Sequence, residues 1–277
     1  LLPDFGEERR KPLMYPILFK IGPLTIHTYG VLLALAFLAA IYVAGREAQR
    51  LGLPAERFLD LGIYIILAAL VGSRLLFVIL EPRTFLSHPL KMFAIWQGGL
   101  DFQGGLFLAL VVVILFIRRY RLPWRPTLDA LALGLPLGQF IGRIGCFMAG
   151  SCYGIPTNVP WAVTFSDPNT LCPYRVPVHP TQLYEGFLDL GVFLFLYWFR
   201  PRKLYGGQMA LLYLFLGGLA RFVVEFYRSP LDYRGPVFFG WMPLTQLIAL
   251  GLFVIGGGLL LYNRFYRFQS QPQVNGQ

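Results

Sequence analysis

Phe58-Leu59-Asp60-Leu61-Gly62-Ile63-Tyr64-Ile65-Ile66-Leu67-Ala68-Ala69-Leu70-Val71-Gly72-Ser73-Arg74-Leu75-Leu76-Phe77-Val78-Ile79-Leu80 carries no charge between Asp60 and Arg74. A helix needs about 20 mostly apolar residues to cross a bilayer, and this stretch supplies them. Six more segments of similar length flank it: Leu24–Gly45, Leu100–Ile117, Leu128–Ala149, Gln182–Phe199, Gly207–Phe226 and Val237–Tyr262. Two of them start polar, one with Asp101 and Gln103, the other with Gln182, Glu185 and Asp189. The pattern predicts an all-α integral membrane protein with seven transmembrane helices.

Composition agrees. Only 14% of the 277 residues are charged, against roughly 25% in an ordinary soluble domain, so a water-facing surface cannot be built. The net charge of +10 does not indicate nucleic acid, because the basic residues sit in short loops between apolar runs and form no continuous basic face. They suit topology signals and contacts with anionic lipid headgroups instead.

Loop charge sets the expected orientation. Arg46, Arg50, Arg57, Arg118, Arg119, Arg121, Arg125, Arg200, Arg202, Lys203, Arg264 and Arg267 fall on one side, twelve in all. Arg83, Lys91, Arg175, Arg228 and Arg234 fall on the other, with Lys20 near the N-terminus. The rich side is expected to be cytoplasmic, which places the N-terminus outside and the C-terminus inside. The expected organisation is a polar segment 1–13, read as lying upstream of a natural start at Met14, one seven-helix domain over 14–266, and a cytoplasmic tail 267–277. Residues 150–180 form a small outer head loop, and Pro82–Trp96 an interfacial helix. The first apolar run lacks a small-residue cleavage site, so no cleavable signal peptide is read.

Ionisable side chains inside such helices are costly and point to function. Arg74, Arg143, Arg221 and Glu225 stand out. Arg221, Glu225 and Arg228 recur at i, i+4 and i+7 and share one helical face, so Glu225 can pair with either arginine. Arg143 lies in Gly142-Arg143-Ile144-Gly145, where glycines let backbone or ligand come close. Arginine binds phosphate through two parallel hydrogen bonds and stays charged in a low dielectric. These residues predict a phosphate-headgroup site towards the outer leaflet. The plainer alternative for Arg221 and Glu225 is a structural ion pair, and for Arg74 a helix-end contact.

Other polar positions add candidates. His27 and Tyr29 open the first apolar segment, and His179 precedes Pro180-Thr181-Gln182-Leu183-Tyr184-Glu185. Trp96-Gln97-Gly98-Gly99 followed by Gly104-Gly105 suits a backbone approached by a ligand or another helix. Cys152 and Cys172 share the outer loop, where a disulfide can form, and Cys146 lies nearby. Three thiols without spaced histidines predict no metal, and neither a Walker loop nor a dinucleotide fingerprint predicts a cofactor.

With these motifs in order, the chain resembles the bacterial prolipoprotein diacylglyceryl transferases. The resemblance runs from Met14 to about Tyr266. It rests on His27-Thr28-Tyr29-Gly30, Val71-Gly72-Ser73-Arg74, Trp96-Gln97-Gly98-Gly99, Gly104-Gly105-Leu106, Gly142-Arg143-Ile144-Gly145, Gly150, Gly154, the His179–Glu185 run and Arg221-Phe222-Val223-Val224-Glu225-Phe226-Tyr227-Arg228. It implies a multi-pass enzyme of the bacterial inner membrane. That enzyme moves the diacylglyceryl group of phosphatidylglycerol onto the lipobox cysteine of a preprolipoprotein signal peptide, forming a thioether and releasing glycerol phosphate. The residues expected to act are Arg143, Arg221, Tyr29, His27 and Glu225. Arg143, Arg221, Arg228, Gly142, Gly154 and Gln103 are expected to bind phosphatidylglycerol. Some members carry histidine at the position of Gln103, and some carry asparagine at that of Cys146. Glutamine cannot act as a general base, which leaves His27, His179 and Glu225 as candidates. A transporter with an arginine-lined anion path is the competing class, and the sequence shows no internal repeat to support it.

Overall fold

The computed structural model describes residues 15–22, 24–82, 85, 89–93, 99, 101–167, 170, 172, 176–230, 237–238 and 242–269. The polar segment 1–13, Trp96-Gln97-Gly98, Arg83, Arg175, Arg234 and most of the tail lie outside the described residues.

A short hairpin leads the chain, β1 (Ile17–Ile21) pairing antiparallel with β2 (Leu24–His27). Seven long helices follow among the described residues: α1 (Thr28–Arg50), α2 (Ala55–Leu80), α3 (Phe102–Arg119), α4 (Trp124–Ala149), α5 (Thr181–Phe199), α6 (Gln208–Glu225) and α7 (Leu244–Gln269). Two-residue strands pair between α4 and α5, β3 (Val163–Thr164) with β4 (Pro177–Val178). A second such pair, β5 (Val237–Phe238) with β6 (Met242–Pro243), precedes α7.

Six of these helices, all but α5, are long and apolar enough to cross a membrane. Large apolar side chains such as Leu67, Val71, Ile79, Phe107, Val254 and Leu261 lie exposed on them. Contiguous apolar surface of that kind is unfavourable in water and at home in lipid. The structure is that of an all-α integral membrane protein.

The segment boundaries shift in two informative places. Leu24–His27 pairs with β1 instead of starting α1, and β5 and β6 occupy the start of the last apolar run. Hydropathy cannot separate a short apolar strand from a helical turn. Within the expected interfacial stretch a short 3-10 helix spans Pro89–Phe93.

The chain divides into two compact units. One unit comprises Ala39–Gly134 and Lys203–Ala210. Here α2 and α3 cross backbone to backbone. A Cβ added at Gly72 would lie 2.4 Å from the Gly104 carbonyl oxygen, and one at Gly104 would lie 2.4 Å from the Gly72 oxygen. The glycines flagged in the sequence therefore admit a neighbouring helix, the arrangement small residues permit in membranes. Asp101 caps α3, its carboxylate accepting from the Gln103 amide at 2.8 Å and the Gly104 amide at 3.2 Å.

Arg74 acts as a clasp in this unit. Its guanidinium donates to the carbonyls of Met92 at 2.9 Å, Gly99 at 3.0 Å and Lys91. These acceptors among the described residues are main-chain oxygens, as in a helix-end contact. Asp129, like Glu47, is a further buried charge here. It is fully enclosed and accepts from Lys203 Nζ at 3.0 Å and from the Gly207 and Ala210 amides at 2.9 and 3.1 Å. It caps the start of α6 from α4, satisfying amides that a helix N-terminus leaves open.

The other unit comprises Leu1–Leu38, Leu135–Arg202 and Leu211–Gln277. Close glycine contacts pack α6 on α7, with Gly218 against the Phe253 backbone and Gly256 against Phe215. Phe147, Tyr153, Phe165, Cys172 and Val178 form the small core of the loop between α4 and α5. This unit contains every ion pair considered next.

Candidate active site

Three helices bring the site together. Arg143 lies on α4, two turns before that helix ends. Gly150, at φ +69°, ends it by letting the Ser151 amide reach back to the Cys146 carbonyl at 3.0 Å and the Gly150 amide to Phe147 at 3.1 Å. Glu185 lies in the second turn of α5. Arg221 and Glu225 share one face at the end of α6, as their spacing predicts.

Glu185 joins the two arginines. Its Oε1 accepts from Arg143 Nη2 at 2.5 Å and its Oε2 from Arg221 Nη1 at 2.6 Å. Arg221 continues the chain through Nη2, 3.0 Å from Glu225 Oε2. Glu225 Oε1 accepts from the Thr245 hydroxyl on α7 at 3.0 Å, and Arg228 Nη1 stands 3.9 Å from Glu225 Oε2. Glu185, Glu225 and Arg228 are buried. Arg143 and Arg221 are half-buried, and enclosing this many charges is tolerable only because they alternate in sign and share hydrogen bonds.

The two arginines are not equally committed. Arg221 uses both terminal nitrogens on carboxylates. Arg143 uses only Nη2, so among the described residues its Nε and Nη1 have no protein acceptor. A guanidinium presents five N–H donors in a planar fork, and the Arg143 fork keeps an open edge. Gly186 keeps the approach close: a Cβ there would lie 3.3 Å from Arg143 Cβ. Beside Gly142 a Cβ would meet nothing within 4 Å.

Tyr29 packs in the first turn of α1, its ring 3.2 Å from where a Gly145 Cβ would stand. It lies within electrostatic reach of Arg143, Cys146 and Cys152. The thiols of Cys146 and Cys152 are hydrogen-bonded to each other, and all three cysteines are unbridged. His27 is exposed at the end of β2. His179 Nδ1 lies 3.0 Å from the Tyr184 hydroxyl, which also accepts from Trp161 Nε1 at 2.7 Å.

Gly154 serves the backbone. Its amide donates to the His179 carbonyl at 3.0 Å, it bridges to Arg228, and a Cβ would lie 2.5 Å from the His179 oxygen and 2.7 Å from that of Tyr227. With the Ile155 amide on the Tyr227 carbonyl, this ties the head loop to both α5 and the end of α6. Gln103 is exposed on α3, in the other unit. Among the described residues no cluster of His, Cys, Asp or Glu suits a metal.

Reading the sequence by single helices misses the role of Glu185. It appears there in the polar start of its apolar segment and in the His179–Glu185 run, with no partner assigned, although a carboxylate at the start of an apolar helix is itself a signal. Thr245 gives no such signal.

The family model for prolipoprotein diacylglyceryl transferase matches residues 16–262. The phosphatidylglycerol–prolipoprotein diacylglyceryl transferase of Bordetella avium is 36% identical over 257 residues, covering 91% of this chain and 94% of that protein. The chain belongs to the prolipoprotein diacylglyceryl transferase family. The similarly named protein of Nitratidesulfovibrio vulgaris is 36% identical over 258 residues, covering 91% of this chain and 95% of its own. That of Acinetobacter baumannii strain SDF is 33% identical over 275 residues, with 95% and 98% covered. As a member of this family the protein is a membrane-embedded transferase of lipoprotein biosynthesis.

Proposed function

We propose that this transferase takes the diacylglyceryl group of phosphatidylglycerol and joins it to the thiol of a lipobox cysteine in a preprolipoprotein signal peptide. The thiol sulfur forms a bond to the glyceryl carbon and the bond from that carbon to the phosphate oxygen breaks. The product is a thioether, and glycerol phosphate leaves, with the thiol proton balancing the bond lost. The observation that carries this reading is the open edge of Arg143 beside Arg221.

Charge builds on the leaving phosphate as its bond to carbon breaks. Donors fixed in advance stabilise that charge without reorganising, and they act more strongly away from water. In this reading Arg143 and Arg221 hold the phosphate, Glu185 sets their spacing, and Glu225 and Arg228 brace Arg221. Gly142 leaves room for the lipid to approach Arg143, and Tyr29 hydrogen-bonds donor lipid or thiol. The positive field also favours the thiolate, which is the nucleophilic form.

The same reading takes α5 as a seventh span, its polar residues turned into protein instead of lipid. It places the N-terminus outside, the C-terminus in the cytoplasm and the head loop on the outer face of the bacterial inner membrane. The test is transfer of labelled diacylglyceryl from phosphatidylglycerol to a lipobox peptide by the purified protein. Wild type should transfer. Arg143→Ala should insert normally and fail, and full activity in that variant would sink the assignment.

A further inference from the structure

The end of α4 carries two of the three thiols. Cys146 stands one turn beyond Arg143 on the same face of that helix, and Cys152 lies just past the Gly150 turn. Their thiols are hydrogen-bonded to each other. Cys152 holds φ +60°, a left-handed conformation that a residue with a side chain keeps only where its surroundings fix it. Two side chains of α5 do so. The Thr181 hydroxyl donates to the Cys152 carbonyl at 2.7 Å, and Gln182 Nε2 donates to the Ser151 carbonyl at 2.7 Å. Cys146 and Cys152 are both partly open, whereas Cys172 is buried in the apolar core of the head loop with Phe147 and Phe165.

This placement separates the three cysteines chemically. Thiols buried among apolar groups are inert, and partly exposed ones exchange. Two sulfurs already in hydrogen-bond contact need only a short approach to reach bonding distance. In the orientation proposed above, the end of α4 faces the outer side of the membrane, where thiols meet disulfide oxidants. The pair is also joined mechanically to the Arg143 site. Both thiols lie within electrostatic reach of Arg143 and Tyr29. The loop that carries Cys152 is pinned by Thr181 and Gln182, one turn before Glu185, and Glu185 holds Arg143. Drawing Cys152 onto α4 shifts either those pins or the last turn of α4, and both lead to the Arg143–Glu185 contact.

We propose that Cys146 and Cys152 form a redox modification site, closed to a disulfide by a disulfide-bearing oxidant, and that the bridge disables the Arg143 site. One thiolate attacks the S–S bond of the oxidant and releases a first thiol. The other attacks the resulting mixed disulfide and releases the second. The cysteines give up two electrons and two protons, and both end on the two thiols released. The effect on transfer rests on the reading that Arg143 and Arg221 hold the phosphate, while formation of the bridge does not.

The experiment treats purified full-length protein in detergent with oxidised glutathione and then removes the oxidant. One sample is denatured, alkylated with N-ethylmaleimide and mapped by peptide mass. The rest is assayed for initial transfer to a reduced lipobox peptide. The map is expected to show Cys146 linked to Cys152, with Cys172 alkylated. Transfer is expected to fall by about tenfold or more, a scale set by displacing a positioned group, and to return with dithiothreitol. Cys172→Ser is expected to respond as wild type does, and Cys152→Ser to keep its own rate through oxidation. Any other pairing, the lack of a Cys146–Cys152 link, or a mapped bridge with undiminished transfer overturns the proposal. The wild-type map decides the pairing even where a variant does not fold. Reduced wild type that transfers nothing, yet forms the bridge on oxidation, sinks the function proposed above and leaves the pairing standing.

Discussion

Arg143 Nη2 lies 2.5 Å from Glu185 Oε1, a contact between residues 42 positions apart on α4 and α5. This pair determines how the site is built. Glu185 draws Arg143 towards Arg221 while leaving the Arg143 Nε and Nη1 donors available.

Glu185→Gln should therefore damage chemistry more than insertion. The amide keeps the volume but cannot hold two guanidiniums by charge. Transfer should fall by roughly 100-fold, the scale for losing a fixed donor in an anion site. Initial rates on a lipobox peptide measure this. A rate within a few-fold of wild type would remove Glu185 from the site.

Arg143→Lys tests the open edge. A lysine keeps the charge and loses the planar fork, so it cannot hold Glu185 and grip a phosphate through two parallel bonds. Activity should drop by about tenfold or more, on the same donor scale. Full activity would mean that charge alone suffices.

Asp129→Ala should act on stability. The buried carboxylate holds Lys203 and two amides of the α6 start, and removing it strands all three. Breaking such a buried pair costs about 3–5 kcal/mol. The melting temperature in detergent should fall clearly, and an unchanged value would contradict the capping role.

Gly154→Ala should loosen the head loop. Its Cβ would lie 2.5 and 2.7 Å from two main-chain oxygens, which cannot retreat without breaking the hydrogen bonds that tie the loop down. Faster proteolysis within residues 150–180, together with lower transfer, is expected. Protection equal to wild type would show that the backbone adapts.

Gly104→Ala should separate α2 from α3, because the added methyl meets the Gly72 carbonyl oxygen at 2.4 Å. Small-to-large changes in tight packing typically cost about 1–3 kcal/mol. Thermal unfolding in detergent reads the loss, and wild-type stability would exclude that close crossing.

The sequence by itself determined that this chain lives in a membrane, roughly where its helices run, and which charged residues are out of place in lipid. Those properties follow from composition, segment length and the 3.6-residue period, all of which are local. The i, i+4 relation of Arg221 and Glu225 was legible for the same reason. The tertiary structure decided which charges meet. Glu185 became the junction of two arginines, Arg74 a clasp on three carbonyls, and Gly72 and Gly104 a helix crossing, because each outcome depends on a partner supplied by a distant segment. A guanidinium in an apolar helix must find acceptors, but only the packing of the helices determines whether these are main-chain oxygens, as for Arg74, or a carboxylate that leaves an edge free, as for Arg143.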